Sequence, residues 1–322
     1  MENLSGGMFS IFRSPLKNSF AVLSISVVYL CLARILVGFK TEQLWLVLFF
    51  NTFYFLSLPT RRFILGFSVF IVYWIIFDFM KAFPNYHYLS VHIRDIYTTE
   101  KKLFGIREGG ILLTPNEYWA RHGTPFLDKL TGFLYLTWIP LPLLFALFLF
   151  YWKRSEYYRF ALSFLTINLI GFVVYYFFPA APPWYVTEYG FTFHAHTAGS
   201  TAGLERFDRL LHTDIFKSIY AQSSNVFAAM PSLHSAYPLV VLYFAIRNHL
   251  VSLSYFSALI MEGIWFSAIY NSHHYVLDVL AGIGCGITGI IVFAQIQKRI
   301  PFFLSLDQNT NSVQQSSNQK AL

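Results

Sequence analysis

Charged side chains are scarce in this chain. Asp, Glu, Lys and Arg make up 12% of its 322 residues, against 56% hydrophobic and 20% aromatic. A soluble domain carries roughly twice that share of charge, and a soluble core of this size has no room for so much apolar surface. Lipid must therefore solvate much of the chain. Cysteine is nearly absent: Cys31 and Cys285 both lie in apolar runs and read as small core hydrophobes. That excludes a disulfide framework or a thiolate metal site. No basic cluster interleaves with exposed polar residues, so the formal charge of +7 makes no case for nucleic acid as a partner. No internal repeat is present.

Long apolar runs are plentiful. Eight windows near the length needed to cross a bilayer as helix fall at 20–39, 43–59, 63–83, 133–151, 158–178, 231–249, 252–271 and 274–296. The expected fold class is all-α, a polytopic membrane bundle of about eight transmembrane helices. The first window follows Arg13 and Lys17 without a small-residue cleavage site, which favours a retained span over a removed signal. Four regions follow: residues 1–83 with the first three spans, an interfacial loop at 84–132, a catalytic part at 133–300, and a polar tail at 301–322 read as disordered. Arg61, Arg62, Lys153, Arg154, Arg159, Arg247, Lys298 and Arg299 gather on one side with both termini, in short connections where basic residues set orientation. Both long loops, 84–132 and 179–230, then face away from the cytoplasm.

Chemistry concentrates in two stretches on that outer side. Phe227-Ala-Ala-Met-Pro-Ser-Leu-His-Ser235 opens the sixth span and Tyr270-Asn-Ser-His-His-Tyr-Val-Leu-Asp278 the eighth. His274 and Asp278 share a helical face. A carboxylate there can accept the proton of one imidazole nitrogen and leave the other with its lone pair outward, as a nucleophile requires. The same spacing also suits a structural pair tying two helices together. Pro231 fits a first helical turn, and Ser232, His234 and Ser235 crowd a helix start that favours an anion. His234 there suits a general acid and base, or an interfacial histidine between capping serines. His234, His274, Asp278 and His273 offer a zinc alternative, weakened because adjacent histidines diverge on a helix. In the outer loop, Arg206 and Arg209 suit a phosphodiester or simply lipid headgroups. Trp184, in Phe178-Pro-Ala-Ala-Pro-Pro-Trp-Tyr185, and Tyr275 complete the candidate substrate-binding set. Asp78 and Glu262 are intramembrane carboxylates without an assigned partner.

Pro-Ser-Leu-His and His-Tyr-Val-Leu-Asp-Val-Leu-Ala-Gly resemble the second and third signature motifs of the type-2 phosphatidic-acid phosphatase superfamily. Within it, Phe-Pro-Ala-Ala-Pro-Pro-Trp-Tyr, Gly-Leu-Glu-Arg-Phe-Asp-Arg-Leu-Leu and Ser-Ser-Asn-Val-Phe-Ala-Ala-Met-Pro-Ser-Leu-His-Ser look like the fungal inositol phosphorylceramide synthases. The likeness is specific over about residues 175–283. It implies a six-helix core from spans three to eight and catalysis with neither metal nor cofactor. His274 would be the nucleophile, Asp278 its orienter, and His234 the acid and then base. It also implies phosphoinositol transfer from a phosphatidylinositol-like donor to a ceramide-like acceptor, releasing diacylglycerol.

Two departures stand out. Leu233 precedes the motif histidine where the superfamily usually has Gly, and Ala268 follows Ser267 where it usually has Arg; the basic first motif is not recognisable. Losing an Arg suits a singly charged diester better than a monoester. A lipid phosphatase with the same machinery is the competing enzyme reading, and a non-catalytic lipid transporter or scaffold the competing class. An unidentified membrane subunit remains open as a partner. The outer face would be periplasmic in a bacterial inner membrane, which the short termini favour, or lumenal in a Golgi membrane.

Overall fold

In the computed structural model, residues 15–221, 225–301 and 303 are described, with side chains from Ser19 onward. The polar tail after 303, Arg13 and the Ser223-Ser224 pair lie outside the described residues. A helix stands at every apolar window: α1 (Pro15–Leu36), α2 (Thr41–Leu56), α3 (Leu58–Phe79), α6 and α7 (Pro125–Leu136 and Pro140–Trp152), α8 (Arg154–Phe177), α12 (Leu233–Arg247), α13 (Val251–Tyr270) and α14 (Val276–Gln297). Among the described residues, six segments are long and apolar enough to cross a membrane, namely Ser19–Leu36, Leu58–Ala82, Pro125–Trp152, Arg154–Phe177, Val251–Tyr270 and Val276–Gln297. The helices α2, with 16 residues, and α12, with 15, are shorter. Large apolar side chains stay uncovered along these helices, among them Phe20, Ile25, Leu144, Tyr255 and Leu259. Only lipid accommodates such a surface. The protein is a multi-pass integral membrane protein.

The fourth span differs from expectation. It starts at Pro125 rather than 133, because Thr124 caps α6 and Asp128 and Lys129 fall within its first turns, where charge ends an apolar window. It breaks after Leu136 and resumes with Pro140 in the first turn of α7. The 84–132 segment carries α4 (Arg94–Phe104), a small hairpin of β1 (Ile106–Glu108) and β2 (Ile111–Leu113) turning through Gly109-Gly110, and α5 (Pro115–Arg121). Both glycines have positive φ, which such a tight turn demands. The 179–230 loop carries α9 (Pro183–Tyr189), α10 (Glu205–Leu211) and α11 (Ile215–Tyr220).

Contacts divide the chain into two units, one of residues up to 82 with those from 294 onward, the other of residues 83–293. In the first, α1, α2 and α3 pack around Val22, Tyr54 and Ile64. Asp78 there accepts from Lys81 Nζ at 2.7 Å and Gln43 Nε2 at 3.3 Å. Cys31 lies exposed on α1, not in a core, because its helix face is left open to lipid; Cys285 is buried. In the second unit α12 packs against α13, α8 and α7, and α13 against α6 and α5. At one end of this unit Glu156 gathers Arg159 (3.4 Å) and Arg247 (3.0 Å), joining α8 to α12. Glu262 is exposed on α13.

Candidate active site

The site is made where α12 and α14 begin. Ser232 N donates to Asp278 O at 2.9 Å, so the entry to α12 is bonded to the first turn of α14. Gly282, one turn further along α14, makes this approach feasible: a Cβ there would stand 2.1 Å from Ser232 O. Ser235 Oγ donates to Ser232 Oγ at 3.1 Å, and both serines are fully buried. Trp265 Nε1 holds Ser235 O at 3.0 Å, fixing α12 against α13. Leu233 fills the room left by Gly171 of α8, where a Cβ would meet Leu233 Cδ2 at 2.6 Å.

Between α13 and α14 the chain turns at Asn271–Tyr275. Ser272 takes a positive φ, and the N–H groups of His273 and His274 both donate to Ala268 O. This turn sends the two histidine rings apart. The His273 ring lies between Tyr135 and Tyr220, with Nε2 3.0 Å from Thr201 O. The His274 ring meets His234, with 3.0 Å between His234 Nδ1 and His274 Nε2. On its other side, His274 Nδ1 lies 3.6 Å from Asp278 Oδ2. The same Oδ2 accepts from Tyr275 N at 2.8 Å, the reach of an acidic residue in the first turn back to its helix start. Trp138 presses edge-on against His234 at 4.5 Å between ring centroids.

Among the buried side-chain atoms without a hydrogen-bond partner in the described residues are His274 Nδ1 and Asp278 Oδ1, on two residues that face each other in this site. Such atoms are rare and costly, and they mark places where structure is not the only demand. Burial pushes the His274 imidazole down to about 4 and that of His273 to about 3. At neutral pH both rings are uncharged, and a neutral ring has a lone pair to offer. With the His274 proton on Nδ1, facing Asp278, the lone pair sits on Nε2 and accepts from His234 Nδ1–H. The tautomer follows from this bonding pattern.

The remaining candidates divide. Arg206 Nε donates to Asp128 Oδ1 at 2.6 Å, its guanidinium lies 5.2 Å from the Tyr270 ring centre, and its buried Nη2 has no partner among the described residues. Arg206 therefore stands beside the turn that precedes His274. Arg209 is exposed and bonded to Glu205 of its own helix. Trp184 packs with Ile93, Ala181, Tyr185 and Phe227, and its backbone N–H bonds Ser272 O. Tyr275 is fully buried beside Ile96 and Ala180, so its side chain is part of the core below the turn. Ala268 is packed with Tyr135, Leu204 and Phe207. Glu100 and Asn116, which touch the backbone between His274 and Asp278, carry no motif signal in the sequence.

The family model of the PAP2 superfamily matches residues 113–292. The chain belongs to this superfamily. A phosphoinositol dihydroceramide synthase of Bacteroides thetaiotaomicron is 43% identical over 282 residues, covering 86% of this chain and 92% of that protein. An inositol phosphorylceramide synthase of Candida albicans is 29% identical over 250 residues, 74% of this chain and 50% of the longer fungal protein. The inositol phosphorylceramide synthase catalytic subunit of Saccharomyces cerevisiae is 36% identical over 119 residues, 36% of this chain and 29% of its own length. These relatives put the chain in the inositol phosphorylceramide synthase branch. No solved structure matches it.

Proposed function

We propose that this protein transfers a phosphoinositol headgroup from phosphatidylinositol to the primary hydroxyl of a ceramide-like lipid, releasing diacylglycerol. The observation that carries the reading is the His234–His274–Asp278 array, with one nucleophilic nitrogen aimed at one proton-bearing nitrogen. The names of the relatives supply the substrate class.

His274 Nε2 attacks phosphorus and the bond from phosphorus to the diacylglycerol oxygen breaks. Asp278 steadies the positive charge that grows on the ring. His234 in its imidazolium form gives its Nδ1 proton to the departing oxygen. The arriving phosphodiester, singly negative, favours that imidazolium. In the second half His234 takes the proton of the acceptor hydroxyl, whose oxygen attacks the same phosphorus and frees His274. Atoms and charge balance over the two halves: one headgroup changes lipid and one proton passes through His234.

The geometry sets a condition. An attacking atom approaches to about 3–3.5 Å with its leaving group opposite. The leaving oxygen in turn stands within about 2.6–3.2 Å of its acid. Both cannot hold while the nitrogens are 3.0 Å apart, so the His234 ring swings away from His274 as substrate enters. The basic end at Lys153 and Arg154 favours a cytoplasmic location for the connection between α7 and α8, with catalysis on the outer face.

The test is headgroup transfer by purified protein in detergent, with labelled phosphatidylinositol, with and without ceramide. The expected product is inositol phosphorylceramide, formed only with acceptor. Release of free headgroup or phosphate at the same rate in either condition would make the protein a hydrolase instead.

A further inference from the structure

The turn that joins His274 to Asp278 is gripped from outside the membrane helices. The first N–H groups of a helix have no partner within it. In α14 the residue before the helix is Tyr275, whose side chain cannot cap it. The acceptors come from Glu100, 176 residues earlier: Oε1 takes Val276 N at 2.9 Å and Oε2 takes Leu277 N at 3.2 Å. On the preceding side, Asn116 Nδ2 donates to His274 O at 2.9 Å and to Ile269 O at 2.7 Å. Every peptide link from His274 to Leu277 thus touches Glu100, Asn116 or the Asp278 carboxylate.

Local sequence explains how these side chains arrive. Ile96 and Glu100 share a face of α4, and Ile96 anchors that face in the core beside Tyr275. Thr114 and Glu117 form a reciprocal cap that starts α5 just before Asn116. Tyr97 Oη donates to Glu117 Oε1 at 2.7 Å, and so ties α4 to α5. Glu100 is fully buried, and burial pushes its carboxyl up to about 7 against the pull of the two N–H groups. A glutamate placed there at such cost is not a surface charge that drifted inward.

We infer that Glu100 is a positioning residue for transfer: by clamping the first turn of α14 it sets the approach of the Asp278 carboxylate to His274. Asn116 fixes the other end of the same turn. The inference rests on the proposed role of His274 and Asp278. Glu100 stands before residue 113, where the family match begins, while Asn116 and the turn they hold fall within it.

The experiment uses the full-length protein carrying Glu100→Gln or Glu100→Ala, with Glu42→Gln, exposed on α2 of the first unit, as control. Thermal unfolding, kcat and KM for transfer, and the 15N signals of the His274 ring are read on each. The expected result for Glu100→Ala is a fall in kcat of about 10²-fold, as a misplacement of about 1 Å produces. KM is expected to change by less than about twofold, since lipid binding is untouched. Glu100→Gln keeps one acceptor and falls between Ala and wild type. The His274 signals move in both variants and stay fixed in the control. Folded variants with wild-type kcat and unmoved His274 signals would overturn the inference, as would a change in KM alone. If Glu100→Ala does not fold, the isosteric Gln variant carries the same readouts. Wild-type protein that transfers nothing to ceramide would count against the proposed function only, because the ring signals are read without turnover.

Discussion

Asp78 and Asp278 are both buried in an apolar bundle, yet they are held in opposite ways. Asp78, in the first unit, accepts from a lysine and a glutamine, one on each oxygen. Asp278, in the second, has one backbone donor, an imidazole at 3.6 Å and an oxygen with no partner among the described residues. Within the membrane-spanning segments of the second unit, the other buried carboxylates among the described residues follow the pattern of Asp78: Asp128 takes Arg206 and Tyr270, and Glu156 takes Arg159 and Arg247. A carboxylate in lipid that serves structure is neutralised by a cation. One that serves chemistry keeps free capacity for a charge that appears only during reaction. The contrast turns burial from a symptom into a criterion.

Removing the proposed nucleophile tests the contrast most severely. His274→Ala is expected to lower headgroup transfer by about 10⁶-fold, as loss of the attacking group does in other covalent enzymes. It should also abolish labelling of the protein by a labelled donor. Turnover within tenfold of wild type would end the covalent reading. The ring it removes also sets an acid limit. Since His274 sits near 4 and not at the usual 6.5 or so of a free histidine, activity attributable to its lone pair persists to about pH 4 and falls below it. The sign for stability agrees: the unfolded chain binds the proton first, so stability is lost as pH falls from about 6.5 through 4. A kinetic limb near 6.5 assigned to His274 would contradict this.

Asp278→Asn keeps the shape but not the charge. The expected loss is about 10³–10⁴-fold in kcat, measured beside protein labelling, which should slow in step. Next comes Gly282→Ala. Its Cβ would meet Ser232 O at 2.1 Å, and the backbone must shift by more than an ångström, at about 1–3 kcal/mol. Because the displaced atoms join α12 to α14, kcat should fall by about 10²-fold even where the protein still folds. A Gly284→Ala control has open space around it and should do neither.

Much of this was legible in the sequence, and the reason is that lipid imposes long apolar runs. Helices stand at all eight windows, and the His-Ser and His-His-Tyr stretches that open α12 and α14 meet across 3.0 Å. The start of the fourth span was hidden because Asp128 and Lys129 break its apolar run, though the Asp128 charge is satisfied by Arg206 from 78 residues away. The hairpin at 106–113 has three-residue strands, too short for any alternation to register; only Gly109-Gly110 hinted at it. Ser232 and Ser235 look like anion ligands in a motif, and in space Ser235 Oγ donates to Ser232 Oγ. Glu100 and Asn116 were unreadable because their partners are backbone atoms 153 to 177 residues distant, and backbone leaves no trace in composition.

The mildest expected effect is the one that bears on the comparison itself. Asp78→Asn keeps an acceptor for Lys81 and loses the charge. Asp78 and Lys81 are partly screened at side-chain exposures of 10% and 20%, so the cost to stability is about 1 kcal/mol. Thermal unfolding in detergent should register that small drop, while kcat stays within about twofold because Asp78 already has a donor on each oxygen. The same substitution at Asp278 should do the reverse, with a large kinetic loss and little change in stability, since no cation is stranded there. If both variants lost stability and activity in the same proportion, the distinction between a saturated and an unsaturated carboxylate would carry no functional information in this protein. Opposite ratios in the two would mean that hydrogen-bond vacancy at a buried acid, rather than its mere presence in a membrane helix, is what marks the catalytic one.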